Sequence, residues 1–334
     1  MLRKRLHLKP ALLASGLSLG ALMLAPPLAG VSQAAESYPQ KPIRLIIPYP
    51  PGGATDVIGR IVGKNLSDEI GEQVVIENRG GAGGNIGAGE VARAKPDGYT
   101  LVWSVNAPFT LVPFIMKDVP YDAKKDFKPV AWAANAILAL AVHPSLPVNN
   151  VKELIDYAKA HPGELKFGSA GIGSAHQIAG ELIKKNAGID MVHVPYPGGG
   201  PAIADLVGGH IMVSFGTLPA VLPHAQTNAL RIIALAEDER YEGLPDVPTI
   251  SETIPDVGVQ TWIGVMAPGG TPRPIVDKLN AAVNAALKDP AVVDLYKKSG
   301  VQVRGTSVEE LAEVIHKDLA EYEVLFPQIG IEKQ

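Results

Sequence analysis

The chain has 334 residues, no cysteine, 5% aromatic residues and a formal net charge of −4. The lack of cysteine excludes disulfide and thiol chemistry, and it excludes a lipoprotein anchor, which needs a cysteine at its processing site. The acidic balance argues against nucleic acid as a partner, because phosphate binding requires a basic surface.

Residues 1–35 have the architecture of an export signal. A basic start is followed by an apolar run from Ala11 to Ala25, and Ser32-Gln33-Ala34 offers small residues for cleavage. Pro26 and Pro27 end the apolar run before the about 20 residues that a membrane-spanning helix needs. We therefore expect a cleaved leader and a periplasmic protein. Cleavage would change the net charge from −4 to −8, because the leader holds four basic and no acidic residues.

The rest of the chain alternates strand patterns with helical patterns. Strands are predicted at 43–47, 73–77, 100–104, 165–167, 192–194, 211–215, 230–235 and 301–303. Helices are predicted at 57–66, 86–94, 151–160, from 174 onward, at 202–207, 274–287, 291–299 and from 307 to near 325. This alternation predicts an α/β fold of mixed, mainly parallel sheets flanked by helices. The apolar run 130–143 fits either a buried helix or a strand that crosses between lobes, and 261–268 is a second candidate crossing.

The loop from Pro48 to Asp56 joins the first strand to the first helix. Gly52 and Gly53 let a ligand approach the backbone closely. The helix start presents unpaired N–H groups and the positive end of the helix dipole, which together bind anions without a charged side chain. Thr55 or Asp56 is the predicted N-cap. The sequence leaves two roles for Asp56, a helix cap or a ligand contact.

A similar loop runs from Gly168 to Ser174. Ser169 and Ser174 add hydroxyl donors to the backbone amides, and Ser174 with Gln177 matches a capping box. Hydrogen bonds to a charged group contribute about 1.5–3 kcal/mol each, so three or four suffice for micromolar binding. A tight turn without a ligand is the alternative.

The remaining motifs argue against other chemistry. The Gly-rich turn 80–87 lacks the Gly-Lys-Ser/Thr ending of a phosphate-binding loop, and no G-x-S-x-G elbow or metal-binding histidine spacing occurs. We therefore predict no catalytic residue, no metal and no cofactor. Pro48–Gly53 and Pro195–Gly200 echo each other, which suggests either two lobes with similar loops or chance.

The chain also resembles a known family, the substrate-binding proteins of tripartite tricarboxylate transporters, also called Bug receptors. The resemblance covers about Tyr38 to Leu325. Its motifs are Tyr38-Pro39-x-Lys41-Pro42-Ile43, Pro51-Gly52-Gly53-x-x-Asp56, the segments 77–87 and 96–101, Phe167–Gly171 followed by Gly173, Ser174 and His176, then 193–196 and 244–249. Gly80 and Gly216 depart from the pattern, where the family more often has proline and an acidic residue.

The resemblance implies a two-lobed periplasmic binding protein of the Venus flytrap, type II-like class. Lobe one would comprise 38–137 plus 262–334, and lobe two 138–261. The ligand would be a small carboxylic acid, and a monomeric receptor would deliver it to integral membrane transporter subunits. A sensor that partners a membrane signalling protein is one alternative, and an exported hydrolase using Ser169 or Ser174 is another. The implied ligand-binding residues are Tyr49, Pro51, Gly52, Gly53, Ala54, Thr55, Asp56, Asn85, Ser104, Ser169, Ala170, Gly171, Gly173, Ser174, His176 and Tyr196.

Overall fold

A computed structural model describes residues 38–51, 54–255, 257–298, 300–331 and 333. The predicted leader and the loop residues Gly52 and Gly53 lie outside these ranges. Across the described ranges, no helix is both long and apolar enough to span a membrane. The same ranges contain no cluster of three or more metal-ligating side chains.

The strands, in chain order, are β1 (Ile43–Ile47), β2 (Val74–Asn78), β3 (Thr100–Val105), β4 (Phe127–Ala136), β5 (Leu138–Val142), β6 (Lys166–Ser169), β7 (Val192–Pro195), β8 (Val213–Thr217), β9 (Arg231–Leu235), β10 (Trp262–Pro268) and β11 (Val301–Val303). The α-helices are α1 (Ala54–Ile70), α2 (Asn85–Ala92), α3 (Val112–Ile115), α4 (Val151–Ala160), α5 (Ala175–Ala187), α6 (Gly199–Val207), α7 (Leu218–Gln226), α8 (Arg273–Ala286), α9 (Pro290–Lys298) and α10 (Val308–Gln328).

The strands form two mixed sheets, with the orders β11-β4-β10-β3-β1-β2 and β7-β6-β8-β5-β9. In the first sheet β1 is parallel to β2 and β3, and the other pairs are antiparallel. In the second sheet β6 is parallel to β7 and β8, and β5 is antiparallel to β8 and β9. The predicted mixed sheets are confirmed, but parallel pairs are a majority in neither. The reason is that the strands next to each crossing between sheets run antiparallel to their neighbours. We call the parts built on the two sheets lobe one and lobe two.

The apolar run 130–143 is a crossing, not a helix. It supplies the end of β4 to the first sheet and β5 to the second, with Ile137 between them. The chain returns to the first sheet at Trp262, the start of β10. The precise lobe boundaries given by the sequence stay a prediction.

The helices that connect the parallel strands pack on alternate faces of the sheet in both lobes. In lobe one, α1 packs through Val62 on the sheet face of Leu45, and α2 packs through Val91 on the opposite face. In lobe two, α5 packs with Phe167 on one face, whereas α6 packs with Ala139 on the other. This change of face leaves a crevice at the carboxyl ends of β1 and β3, and another at those of β6 and β8. Open α/β sheets bind ligands at such switch points.

The last helix, α10, packs on both lobes. A capping box between Ser307 and Glu310 starts it, as predicted. Leu311 lies in a core of lobe one, but Tyr322 and Phe326 lie in the main core of lobe two. The sequence predicts that all of 262–334 belongs to lobe one. The apolar stripe of a helix shows that one face is buried, but it does not show which core that face contacts. The end of α10 therefore joins the lobes at a third place.

Helix α7 was not predicted from the sequence. Pro219 and Pro223 interrupt its apolar pattern. Pro219 falls in the first turn, where a missing N–H costs no intrahelical hydrogen bond. The helix forms because Leu218 and Val221 are buried in a core of lobe two.

Candidate functional site

The lobe-one crevice brings together three of the predicted site residues, Tyr49, Asn85 and Ser104. Tyr49 follows β1, Asn85 begins α2, and Ser104 lies near the end of β3. Their atoms Tyr49 Oη, Asn85 Oδ1 and Ser104 Oγ are all buried, and none has a hydrogen-bond partner among the described residues. Leaving a buried polar group unpaired costs about 1–3 kcal/mol. The crevice therefore holds hydrogen-bonding capacity that the fold itself does not use.

The Tyr49 ring stands at the centre of this group. A Cβ atom built on Gly84, the residue before Asn85, would lie 3.1 Å from Tyr49 Oη. Burial raises the pKa of Tyr49 to about 12, and the neighbouring Ser104 hydroxyl partly opposes that shift. The two hydroxyls are thus close, although they do not reach hydrogen-bond geometry. Tyr49 stays protonated at neutral pH and can donate a hydrogen bond.

The start of α1 differs from the prediction. The helix begins at Ala54, so Thr55 and Asp56 lie inside its first turn and neither is the N-cap. The Asp56 carboxylate is buried and accepts from Asn78 Nδ2 at 2.8 Å and Arg60 Nε at 3.0 Å. A negative charge is therefore already present at the positive end of the α1 dipole. Asp56 has a structural role whether or not it also contacts a ligand.

For the other predicted site residues of this loop, the structure shows fewer contacts. Pro51 is exposed in a turn, and Ala54 is the first residue of α1. Gly52 and Gly53 fall outside the described residues, so their predicted backbone contact with a ligand stays a prediction. Sequence reasoning missed Asn78, which donates to Tyr49 O at 3.0 Å and so ties the loop to β2. The sequence signal for Asn78 was a polar residue at the end of a strand, just before the Gly-rich turn.

In lobe two, the Gly168–Ser174 turn uses most of its own polar groups. Ser169 Oγ accepts from the Gly171 N–H at 3.1 Å, and the Gln177 side chain accepts from the Gly173 N–H at 2.6 Å. Ser174 caps α5 by accepting from the Gln177 N–H, and its hydroxyl donates to Gly171 O at 2.7 Å. The cap is confirmed, but Gln177 does not complete the predicted box. The Ser174 hydroxyl thus donates within the turn in this structure, and its contact with a ligand stays a prediction.

Several backbone groups of the same turn remain available. In the described part of the chain, no acceptor is found for the N–H groups of Ala170, Ile172 and Ala175. Ala175 is the first residue of α5, a helix of 13 residues with no acidic residue in its first turn. The positive end of its dipole is therefore not neutralised, in contrast to α1.

His176 lies in the first turn of α5 and is 8% exposed. Burial lowers the pKa of His176 to about 4, and the nearby Phe215 backbone partly opposes that shift. The ring is therefore neutral at pH 7. Its Nδ1 atom has no partner in the described chain.

Tyr196 is placed differently from the other predicted residues. Its hydroxyl donates to Asp205 Oδ2 at 2.7 Å, and its ring lies over Gly168. Burial, followed by Asp205, raises the pKa of Tyr196 to about 12. The side chain thus supports the turn, and its hydroxyl is committed within lobe two.

Ser169 Oγ lies 2.6 Å from His193 Nε2, a distance that a nucleophile and its general base would have. Ser169 is fully buried, however, and burial followed by Lys184 lowers the pKa of His193 to about 4. A histidine with that pKa is a weak base at neutral pH. Among the described residues no carboxylate orients the His193 ring. The pair is better explained as a bond between β6 and β7.

The two lobes touch at Gly173. A Cβ atom built there would clash with Cδ1 of Ile115, which follows β3 of lobe one in the chain and packs into the main core of lobe two. Gly173 also has a φ of +73°. Only glycine fits both the backbone conformation and the contact. The sequence marked Gly173 as a ligand residue but did not reveal this contact between lobes.

The sequence echo pairs loops that are not equivalent in the fold. Pro48–Gly53 follows β1, whose counterpart in lobe two is β6, whereas Pro195–Gly200 follows β7, the counterpart of β2. The true counterparts are the 49–54 and 169–174 loops on one side, and the 79–84 and 196–199 loops on the other. The echo therefore does not reflect a repeat of the same loop.

The sequence of this chain is similar to those of known proteins. Residues 58–331 match the family described as the tripartite tricarboxylate transporter family receptor. The chain belongs to this family. Protein BugT of Bordetella pertussis is 37% identical over 287 residues, which cover 83% of this chain and 88% of BugT. The family predicted from the sequence motifs is confirmed.

Solved structures support the same fold. A periplasmic transporter is 41% identical with a TM-score of 0.79, covering 88% of this chain and 99% of its own. An R. palustris protein solved with adipate is 32% identical with a TM-score of 0.80, covering 89% and 100%. MatC from Rhodopseudomonas palustris, with bound malate, is 30% identical with a TM-score of 0.76, covering 86% and 99%. The predicted two-lobed binding-protein fold is confirmed.

Proposed function

We propose that this protein is a periplasmic receptor that binds a small carboxylate between its lobes and delivers it to a tripartite tricarboxylate-type membrane transporter. It would act as a monomer, without catalysis, after its leader is cleaved. The observation that carries the proposal is the set of unpaired buried polar atoms at the two crevices, from Tyr49, Asn85, Ser104 and His176. Native proteins pair nearly all such atoms with protein, water or ligand.

The charge pattern favours a carboxylate. The α5 start offers unpaired N–H groups and an uncompensated dipole, which stabilise a negative charge without a cation. The Tyr49 and Ser104 hydroxyls in lobe one can donate to the same group. The solved relatives with adipate and malate bind carboxylates, which is consistent with this chemistry.

Calorimetry with a panel of short mono-, di- and tricarboxylates tests binding. We expect at least one acid to bind with micromolar or tighter affinity, about −8 kcal/mol. Mass spectrometry of small molecules released from the freshly purified protein would identify the natural ligand. If no carboxylate binds and none is released, the proposal is wrong.

Delivery to a transporter needs its own test. Co-purification from membranes that contain the transporter subunits, with and without ligand, should show ligand-dependent association. Association with a membrane signalling protein instead would show that the receptor serves sensing and not uptake.

A further inference from the structure

An apolar groove lies on lobe two between α7, the edge strand β9 and the loop that follows β9. The apolar side chains on its walls are Leu222, Leu230, Ile232, Leu244 and Val247. All of them except Leu230 are only half-buried. A half-exposed apolar groove with a polar rim is typical of a surface that contacts another molecule.

The groove lies at the opposite end of the second sheet from the lobe-two crevice. Val142 pairs with Val213, the first residue of β8, and with Arg231, the first residue of β9. Arg231 lines the groove, whereas the crevice lies at the carboxyl end of β8. The groove can therefore be occupied while a ligand is held between the lobes.

The groove wall is poorly suited to a small acid. Arg231 is the one charged residue among the described residues that line it, and its Nη1 atom donates to Val148 O at 2.7 Å. Glu153 faces Arg231 and offsets part of its charge. Small-molecule sites combine an apolar wall with several polar groups that converge on the ligand. This groove instead suits an apolar side chain of another protein.

The loop that closes the groove is held in one shape. The Arg240 guanidinium donates to both oxygens of the Glu252 carboxylate, at 2.7 and 2.6 Å, and to Pro245 O at 3.0 Å. Tyr241 is buried in a core of lobe two, and its carbonyl accepts from the Leu244 N–H at 2.9 Å. Because Leu244 lines the groove, a partner would meet a wall that is already ordered, and less conformational entropy would be lost on binding.

The same loop gives the groove an acidic rim. Residues 237–248 contain five acidic residues and one basic residue, Arg240, which is already paired. Glu242 and Asp246 flank Leu244 in the sequence, both are exposed, and neither forms an ion pair with a described residue. This negative charge repels carboxylates and anionic lipid surfaces, and it attracts basic side chains.

We propose that this groove is a docking surface for a protein partner whose contact segment places basic side chains beside an apolar one. The apolar side chain would fill the groove between Ile232 and Leu244, and the basic side chains would pair with Glu242 and Asp246. The inference rests on the proposed function for the identity of the partner, a periplasm-facing segment of the membrane transporter.

Charge reversal tests the acidic rim. Glu242→Lys together with Asp246→Lys should weaken binding of the full mature receptor to the purified transporter subunits at least about tenfold. The loss should lie mainly in the association rate, because rim charges steer the encounter. Raising the salt concentration from about 50 to about 300 mM should weaken binding of the wild type more than that of the variant. Surface plasmon resonance measures both rates.

Glu164→Lys together with Asp190→Lys is the matched control. Both residues are exposed, and they precede β6 and β7 in the other half of the same sheet. The control has the same change in net charge but leaves the groove intact, so it should bind the transporter within about threefold of wild type. Equal losses in the two double variants would show that only the overall charge matters, and would overturn the docking surface.

Ile232→Thr tests the apolar part of the groove without a change in charge. Threonine keeps the branched Cβ that suits a strand, but it places a hydroxyl where the partner's apolar side chain would pack. Affinity for the transporter should fall about fivefold through faster dissociation. Carboxylate affinity by calorimetry should stay within about twofold of wild type, because the groove is remote from the crevice. Unchanged dissociation from the transporter would overturn the groove as the contact.

The outcomes for the wild type separate this inference from the proposed function. If the wild type binds the transporter and neither the charge reversal nor Ile232→Thr weakens binding, the docking surface is wrong and delivery stands. If the wild type does not bind the transporter, both the docking surface and delivery are wrong. Calorimetry with carboxylates decides the receptor proposal in either case.

Discussion

Lobe one and lobe two connect their parallel strands in the same order, but different polar groups line their two crevices. In lobe one, a buried carboxylate, Asp56, already occupies the first turn of α1, and the unpaired groups are side chains. In lobe two, a neutral Ser174 caps α5, and the unpaired groups are mainly backbone amides. The same topology can thus offer an anion site at one switch point and neutral donors at the other. We infer that lobe two holds the ligand charge and lobe one completes its hydrogen bonds.

The contact between the lobes gives the largest predicted effect. Gly173→Ala adds a methyl group against Ile115 at a residue with a φ of +73°. The backbone strain alone costs about 1–2 kcal/mol, and the clash holds the lobes apart. We expect at least about thirtyfold weaker ligand binding by calorimetry. The added substitution Ile115→Ala should restore part of the affinity.

Gly188 provides the matched control for that change. It ends α5 with a φ of +63°, and a Cβ atom there would meet nothing within 4 Å. Gly188→Ala should lower the melting temperature through backbone strain but leave affinity unchanged. Equal loss of affinity in both variants would show that the Gly173 contact has no special role.

Glu237 lies beside the chain crossing that joins the two lobes. It is 4% exposed and accepts from the Leu138 N–H at 3.1 Å, at the first residue after the crossing. Burial raises the pKa of Glu237 to about 7, with opposing effects from the Leu138 bond and Arg304. The folded protein therefore keeps a proton that the unfolded chain loses above its ordinary pKa near 4.5. The stability contribution is complete below that pH and is lost as the pH rises through 7.

Glu237→Gln should remove this dependence. We expect the fall in the free energy of unfolding between pH 5 and pH 8 to shrink by on the order of 2 kcal/mol. Urea unfolding at a series of pH values measures it. The wild-type slope persisting in the variant would show that another group carries the titration.

Tyr49 tests the lobe-one crevice. Because its hydroxyl is buried without a partner, Tyr49→Phe should leave the free energy of unfolding unchanged or raise it by up to about 1 kcal/mol. Ligand affinity should fall about tenfold through loss of one donor to a charged group. Tyr296 is the control, since it too has a buried, unpaired hydroxyl but lies on α9. Tyr296→Phe should change stability alone, and a shared loss of affinity would contradict the crevice assignment.

Substitution of Asp56 should have the smallest effect, and it tests the difference in charge between the starts of α1 and α5. Asp56→Asn removes the ion pair with Arg60 but keeps the side-chain shape. We expect about 1 kcal/mol of lost stability, because Arg60 is half exposed, and an affinity within about threefold of wild type. A far larger loss of affinity in calorimetry would show that the Asp56 carboxylate contacts the ligand.

Much of this arrangement was predictable from the sequence. The strand 43–47 and the helix 151–160 have the predicted bounds because apolar periodicity and the Asn150 cap both favour them. The sequence also predicts that unpaired backbone groups collect at glycine-rich strand ends, and the structure has such groups after β6.

What could not be predicted depends on partners that are distant along the chain. The Asp56–Asn78 bond, the contact of Gly173 with Ile115 and the position of His176 beside Gly199 each join separate elements. Local patterns carry no information about which loops meet. For the same reason, the sequence could not show that Ser169, Ser174 and Tyr196 use their hydroxyls in hydrogen bonds within lobe two.

A crystal structure of the protein with its tightest-binding acid would show which lobe holds the ligand carboxylate. We predict a carboxylate within hydrogen-bond distance of the N–H groups at the start of α5, with a Tyr49 or Ser104 hydroxyl donating to the ligand from lobe one. A carboxylate seated only on the α1 start, or a ligand outside both crevices, would contradict the account.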